Sequence, residues 1–236
     1  MIFHLSLTFI ILFLLFLIAQ KISSYIYYFL LLFTASQRFS VSILSLILLP
    51  GTIIHELSHF LFASILRVPT GELSVIPTID EKTGQVKAGK LEIGKVDPFR
   101  YAIVGLAPTI IGIFLIYVSG KLFFPQQLAV NNYLLTTIGV YLLFIISATM
   151  FSSNKDMESL KIALPITCLI ILSLYFIGLR LSLTSTLIIK IESLLKELNG
   201  YLLTSAVVNF LVFLILVINL KLWQKILKRQ ILQFKQ

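Results

Sequence analysis

Charged residues and cysteine are both scarce in this chain. Only 12% of its 236 residues are charged, about half the share usual in a soluble domain. Hydrophobic residues make up 58%. Several apolar stretches approach or exceed the roughly 20 residues that cross a bilayer. A soluble globular domain is excluded, and a single integral membrane domain over residues 1–236 is expected. The one cysteine, Cys168, lies in an apolar run. It can form neither an intrachain disulfide nor a thiolate metal site, and it reads as a small buried or lipid-facing residue. Histidine is nearly as rare, with three in the chain. The net charge of +9 would suggest nucleic acid in a soluble protein. Here the basic residues lie mostly between or after apolar segments, so they set orientation in the membrane and no nucleic acid is expected.

The apolar pattern predicts an all-α polytopic membrane protein with about six transmembrane helices. The first span covers residues 2–20. It has no Lys or Arg before its apolar run and a poor cleavage site at Ile18-Ala19-Gln20-Lys21, so it reads as a retained helix rather than a signal peptide. Residues 21–38 hold only a short apolar run, which predicts an interfacial or re-entrant segment. The second span runs from about 39 to 67 and contains Pro50-Gly51, a pair that either kinks or locally unwinds a helix. Residues 69–98 collect charges and glycines, with short alternating stretches at 73–75 and 85–88 around a turn at 80–84, and predict a small β-hairpin outside the bilayer core. Further spans are expected at about 99–118, 132–151, 163–179 and 202–220. Between the last two, Leu187, Ile188, Ile191, Leu194, Leu195 and Leu198 form an apolar stripe, with Glu192 and Lys196 opposite. An interfacial amphipathic helix over about 183–199 follows, capped by Gly200. A basic tail occupies 221–236. With the N-terminus inside, inner segments carry roughly twice the Lys and Arg of outer ones, so both termini are expected to be cytoplasmic. The hairpin is then cytoplasmic as well.

Against this background one string stands out. His55-Glu56-Leu57-Ser58-His59 is an H-E-x-x-H motif inside an apolar span. Residues four apart share a helix face, so both imidazoles can reach one metal ion. Glu56 sits beside them, where it can take a proton from a water held by the metal. Ionisable residues at membrane depth are costly and mark function. His59 lies eight residues before Arg67, roughly 12 Å below the inner boundary at 1.5 Å per residue. A catalytic zinc takes three protein ligands and keeps one position open. His4, near the start of the first span, reads as an interfacial residue, and no histidine follows the motif. The third ligand is therefore expected to be a carboxylate. Glu72, Asp80, Glu81, Glu92 and Asp97 belong to the hairpin region, and Glu192 and Glu197 lie on the opposite side under six crossings. Asp156 and Glu158 remain. Asp156 also reads as the first turn of a helix capped by Ser152 or Ser153, a role compatible with ligation.

The sequence Pro50-Gly51-Thr52-Ile53-Ile54 before the motif, then Gly105-Leu106-Ala107-Pro108, then Tyr141-Leu142-Leu143-Phe144 leading to Ser153 and Asp156, resembles the site-2 protease family of intramembrane zinc metalloproteases, closest to its small prokaryotic branch. The likeness covers roughly residues 45–165. It implies a catalytic core of about 39–165, with Zn²⁺ held by His55, His59 and Asp156 and with Glu56 activating the zinc-bound water. It also implies a site opening toward the cytoplasm, a prokaryotic cell membrane, and cleavage of membrane-embedded or membrane-proximal segments of other proteins. The chain carries Met157 and Ser152 where better-known members have glycine and proline, and it has no PDZ-like insertion.

A helical substrate hides its carbonyls and has to unwind before it can be cut. The hairpin has two open roles: holding an unwound segment by strand addition, or covering the site. The alternative from another class is a non-proteolytic metal-binding membrane scaffold or partner-binding protein. A transporter is disfavoured because no repeated pair of broken helices is visible.

Overall fold

The structure, a computed structural model, describes residues 1–74, 78–79, 86–87, 90–94, 96–124, 133–151 and 184–227, together with Pro165, Leu169, Ser173 and Phe176. Its helices are α1 (Ile2–Thr34), α2 (Gln37–Ile65), α3 (Pro98–Phe123), α4 (Tyr133–Thr149) and α5 (Ser185–Leu227), and four short strands lie between α2 and α3. Four of these helices, all except α4, are long and apolar enough to cross a membrane. Large side chains such as Ile2, Phe9, Leu46, Phe114 and Leu211 stand on the outer surface. An apolar exterior of this extent suits lipid rather than water. The fold is that of an all-α membrane protein with a small β element.

Two expected boundaries are corrected. The span at 2–20 and the interfacial segment at 21–38 are one 33-residue helix, ended by Ala35 in the left-handed conformation. No proline or glycine interrupts residues 2–34, and Lys21 is a good helix former, so nothing local stops the helix. The turn to α2 takes only Ala35 and Ser36. Ser36 caps α2 by accepting from the Phe39 amide, and the Thr34 and Ser40 hydroxyls meet at 2.7 Å across the turn. Likewise, the expected amphipathic helix and the last span are one continuous 43-residue helix. Gly200 is not its cap but an interior residue. A single interior glycine weakens a helix by only about 1 kcal/mol, too little to end one whose flanks both favour it.

Antiparallel pairing joins the strands in nested order. β1 (Thr70–Ser74) pairs with β4 (Lys90–Ile93), and β2 (Thr78–Ile79) pairs with β3 (Val86–Lys87). Where a single hairpin was expected there are two separate two-stranded sheets, with an irregularity between Thr70 and Leu73. The predicted turn at 80–84 lies outside the described residues. So does most of the expected span at 163–179, of which four residues are described, all helical.

The helices pack around one apolar core that includes Leu15, Ile22, Leu44, Leu48, Ile116, Leu143, Ile145 and Leu202. Gly51 permits a close approach of α2 to α4. A Cβ there would lie 2.5 Å from Thr149 Oγ1 and 2.9 Å from the Ile145 carbonyl oxygen. Tyr141 on α4 donates to the Ile47 carbonyl at 3.0 Å, one turn above that contact. α3 and α4 are antiparallel, with Gly112 against Met150 and Phe123 against Gly139. α1 and α5 run side by side in the same direction. Thr8 meets Asn199 at 2.7 Å, Tyr25 stacks edgewise on Phe213, and Phe33 on Trp223. Helices packed in parallel cross a bilayer in the same sense. Six alternating crossings would set the first and last helices antiparallel, so the parallel pair does not fit that count.

Candidate metal centre

The motif lies on the inner stripe of α2. Buried positions on this helix are Ser40, Leu44, Leu48, Gly51, Thr52, His55, Glu56, Ser58, His59 and Ala63. Their spacing of three and four is that of one helix face. Leu46, Leu57, Phe60, Leu61 and Ile65 point outward and are exposed. The two imidazoles therefore project inward because the same periodicity buries Leu44 and Leu48 two turns earlier. Pro50 and Gly51 leave the helix unbroken, so of the two readings of that pair, local unwinding is not what the structure shows.

His55, Glu56 and His59 are all about 95% buried. His55 Nε2 and His59 Nε2 stand 3.2 Å apart. Two nitrogen ligands about 2.0–2.1 Å from a tetrahedral zinc stand about 3.3 Å apart, so the pair is set at the separation that such an ion requires. The other ring nitrogen of His59 is fixed. Nδ1 lies 2.8 Å from the Val104 carbonyl oxygen, which can only accept, so Nδ1 carries the proton and the Nε2 lone pair points at His55. An imidazole held this way by a backbone carbonyl is the usual outer support of a metal-ligating histidine.

α3 supplies that carbonyl. Asp97 caps α3 by accepting from the Arg100 amide at 3.0 Å, and Pro98 opens its first turn. Arg100 also donates to the Leu66 carbonyl at the end of α2, which ties the start of α3 to the end of the motif helix. Val104 then packs with Ala63 and Val68 in a small apolar cluster of its own, directly beside His59. Neither Val104 nor its carbonyl was predicted as part of the site. The available signal was Pro108, four residues on, whose missing amide leaves the Val104 carbonyl without its helical partner.

Asp156 and Glu158, the expected third-ligand candidates, lie outside the described residues. Among the described residues no group of three or more His, Cys, Asp and Glu side chains gathers for a metal. Asp97, Glu192 and Glu197 are engaged elsewhere. Asp97 caps α3 and pairs with Arg100, Glu192 binds the Met1 ammonium at 2.8 Å, and Glu197 pairs with Lys121 at 3.3 Å while accepting from Tyr117. Glu72 is exposed on β1. His4 lies between α1 and α5, where its carbonyl accepts from Thr8 and Asn199. The neighbouring hydroxyls are satisfied within α2: Thr52 donates to Leu48 and Ser58 to Ile54.

No protein-family model matches this chain, and no curated protein and no solved structure matches it.

Proposed function

We propose that the chain is an intramembrane zinc metalloendopeptidase of the site-2 protease type, acting on transmembrane or membrane-proximal segments of other proteins. The observation that carries this reading is the buried His55–His59 pair, 3.2 Å apart with Glu56 between them in sequence, inside an apolar helix. Its chemistry suits Zn²⁺, since neutral imidazoles are zinc ligands and Glu56 is a carboxylate beside them. His55 and His59 would hold the ion, with Asp156 as the third ligand implied by the resemblance. When bound, zinc supplies a Lewis acid and a water that loses its proton near neutral pH.

The chain's own residues do the rest. The Val104 carbonyl holds the His59 ring, and the α2 backbone sets His55 beside it, before any ion arrives, so little ordering cost falls on binding. Glu56 takes a proton from the attacking water and passes it to the leaving nitrogen of the cut peptide bond. The surrounding apolar helices keep bulk water away, which strengthens every electrostatic contact inside. The alternative of a metal-binding scaffold has no use for Glu56, a carboxylate about 95% buried in an apolar helix that a passive site would not need.

Purified protein in lipid vesicles should cleave a co-reconstituted single-span polypeptide, lose that activity when stripped with a zinc chelator, and regain it with added zinc. Cleavage that survives complete stripping would sink the proposal.

We place the centre at the cytoplasmic end of α2, the side to which the charge pattern of the sequence also assigns the hairpin region and Asp156. The parallel run of α1 and α5 changes one element of the expected orientation. It favours opposite faces for the start of α1 and the end of α5 over the shared cytoplasmic side read from charge. Single cysteines introduced at Ser6 and Gln236, in a Cys168→Ser background, should react with a membrane-impermeant thiol reagent from opposite sides of intact cells or sealed vesicles. Protection of both from outside would restore the six-crossing orientation.

A further inference from the structure

Pro108 sits in the interior of α3 and is itself buried. An interior proline breaks one backbone hydrogen bond: it has no N–H to donate to the carbonyl four residues earlier. For Pro108 that carbonyl belongs to Val104, whose oxygen lies 2.8 Å from His59 Nδ1. The helix gap and the histidine contact thus meet at one atom. The proline ring also clashes with that same carbonyl. In a bundle without water, a carbonyl left bare would be costly, and His59 is the group that satisfies it.

We infer that Pro108 is a positioning residue for the metal centre. By withholding an amide proton it reserves the Val104 carbonyl for His59 Nδ1–H, fixes that tautomer, and leaves His59 Nε2 unprotonated with its lone pair toward His55. The inference rests on the metal-centre reading for its purpose but not for its geometry. Alanine at 108 would return an N–H to α3, and that N–H would compete with His59 for the same carbonyl oxygen. A proline serving only to bend or pack α3 would leave the His59 ring indifferent to this change.

The tautomer can be read directly. The chain has three histidines, so ¹⁵N spectra of metal-free protein in bilayers, with His59 assigned through a His59→Gln variant, separate the δ-protonated from the ε-protonated ring. Wild type should show His59 protonated at Nδ1. Pro108→Ala should move a measurable fraction to the Nε2–H form and weaken zinc binding about 10-fold in a chelator competition, the lower end of what losing an outer-shell partner does. An Nε2–H ring at His59 in wild type overturns the inference, and that measurement needs no variant to fold. Unchanged tautomer and unchanged zinc affinity in a folded Pro108→Ala protein overturn it as well. A wild type that binds no zinc, yet shows the expected tautomer and its shift in Pro108→Ala, contradicts the metal reading while supporting the positioning role.

Discussion

Glu56→Gln is expected to keep its zinc and lose its cleavage. The substitution preserves shape and most of the hydrogen-bonding capacity of a side chain about 95% buried, so α2 should pack as before. It removes the one property the proposed reaction needs, a group that accepts and then returns a proton. Positioned general acid–base catalysis contributes about 10²–10⁴-fold to rate, so cleavage should fall by at least two orders of magnitude. Zinc content should not change, because the ligand nitrogens belong to His55 and His59, whose mutual contact and Val104 support do not involve residue 56. The pairing of outcomes separates the two function classes. A scaffold would keep both its metal and its biological effect with glutamine at 56. Glu56→Gln protein that cleaves within a few-fold of wild type would remove the enzymatic assignment of this residue.

The ligand set makes the second large prediction. His55→Ala and His59→Ala should each reduce zinc affinity by about two orders of magnitude or more. Zinc held by four protein ligands is worth about 10–16 kcal/mol, so each ligand accounts for about 3 kcal/mol, and 1.4 kcal/mol is a factor of ten. Asp156→Ala should cost the same, and Glu158→Ala should leave affinity at the wild-type level. Asp97, Glu192 and Glu197 are already engaged with Arg100, the Met1 ammonium and Lys121, so none of them stands ready to replace a missing carboxylate. Full zinc affinity in Asp156→Ala would refute the third ligand, and loss in Glu158→Ala would transfer the role to that residue.

Much of the centre was legible in the sequence because a helix has a fixed period. Once His55 and His59 are on one helix, the burial of Leu44 and Leu48 on the same stripe follows, and so does the meeting of the two rings. What the sequence hid were relations that periodicity does not encode. The Val104 carbonyl belongs to a residue with no polar side chain, and only the proline four positions later signals it. The continuity of α1 past Lys21 and of α5 through Gly200 was misread for a related reason. A charge and a glycine suggest boundaries, but neither breaks a helix when the residues around it favour one. The direction of α5 against α1 was beyond reach, because counting spans assigns alternating directions and cannot see which helices pack together. The close approach at Gly51 was visible only as a glycine beside a proline, and its partner Thr149 lies almost a hundred residues away.

The central claim is that His55 and His59 form a zinc site inside the membrane. It is tested most directly by the zinc content of the wild-type protein, purified without added metal and washed with a weak chelator, beside a His55→Ala/His59→Ala double variant prepared in the same way. The account predicts about one zinc per wild-type chain and essentially none in the variant. Equal zinc in both, or none in a folded wild type that also fails to take it up on titration, would contradict it.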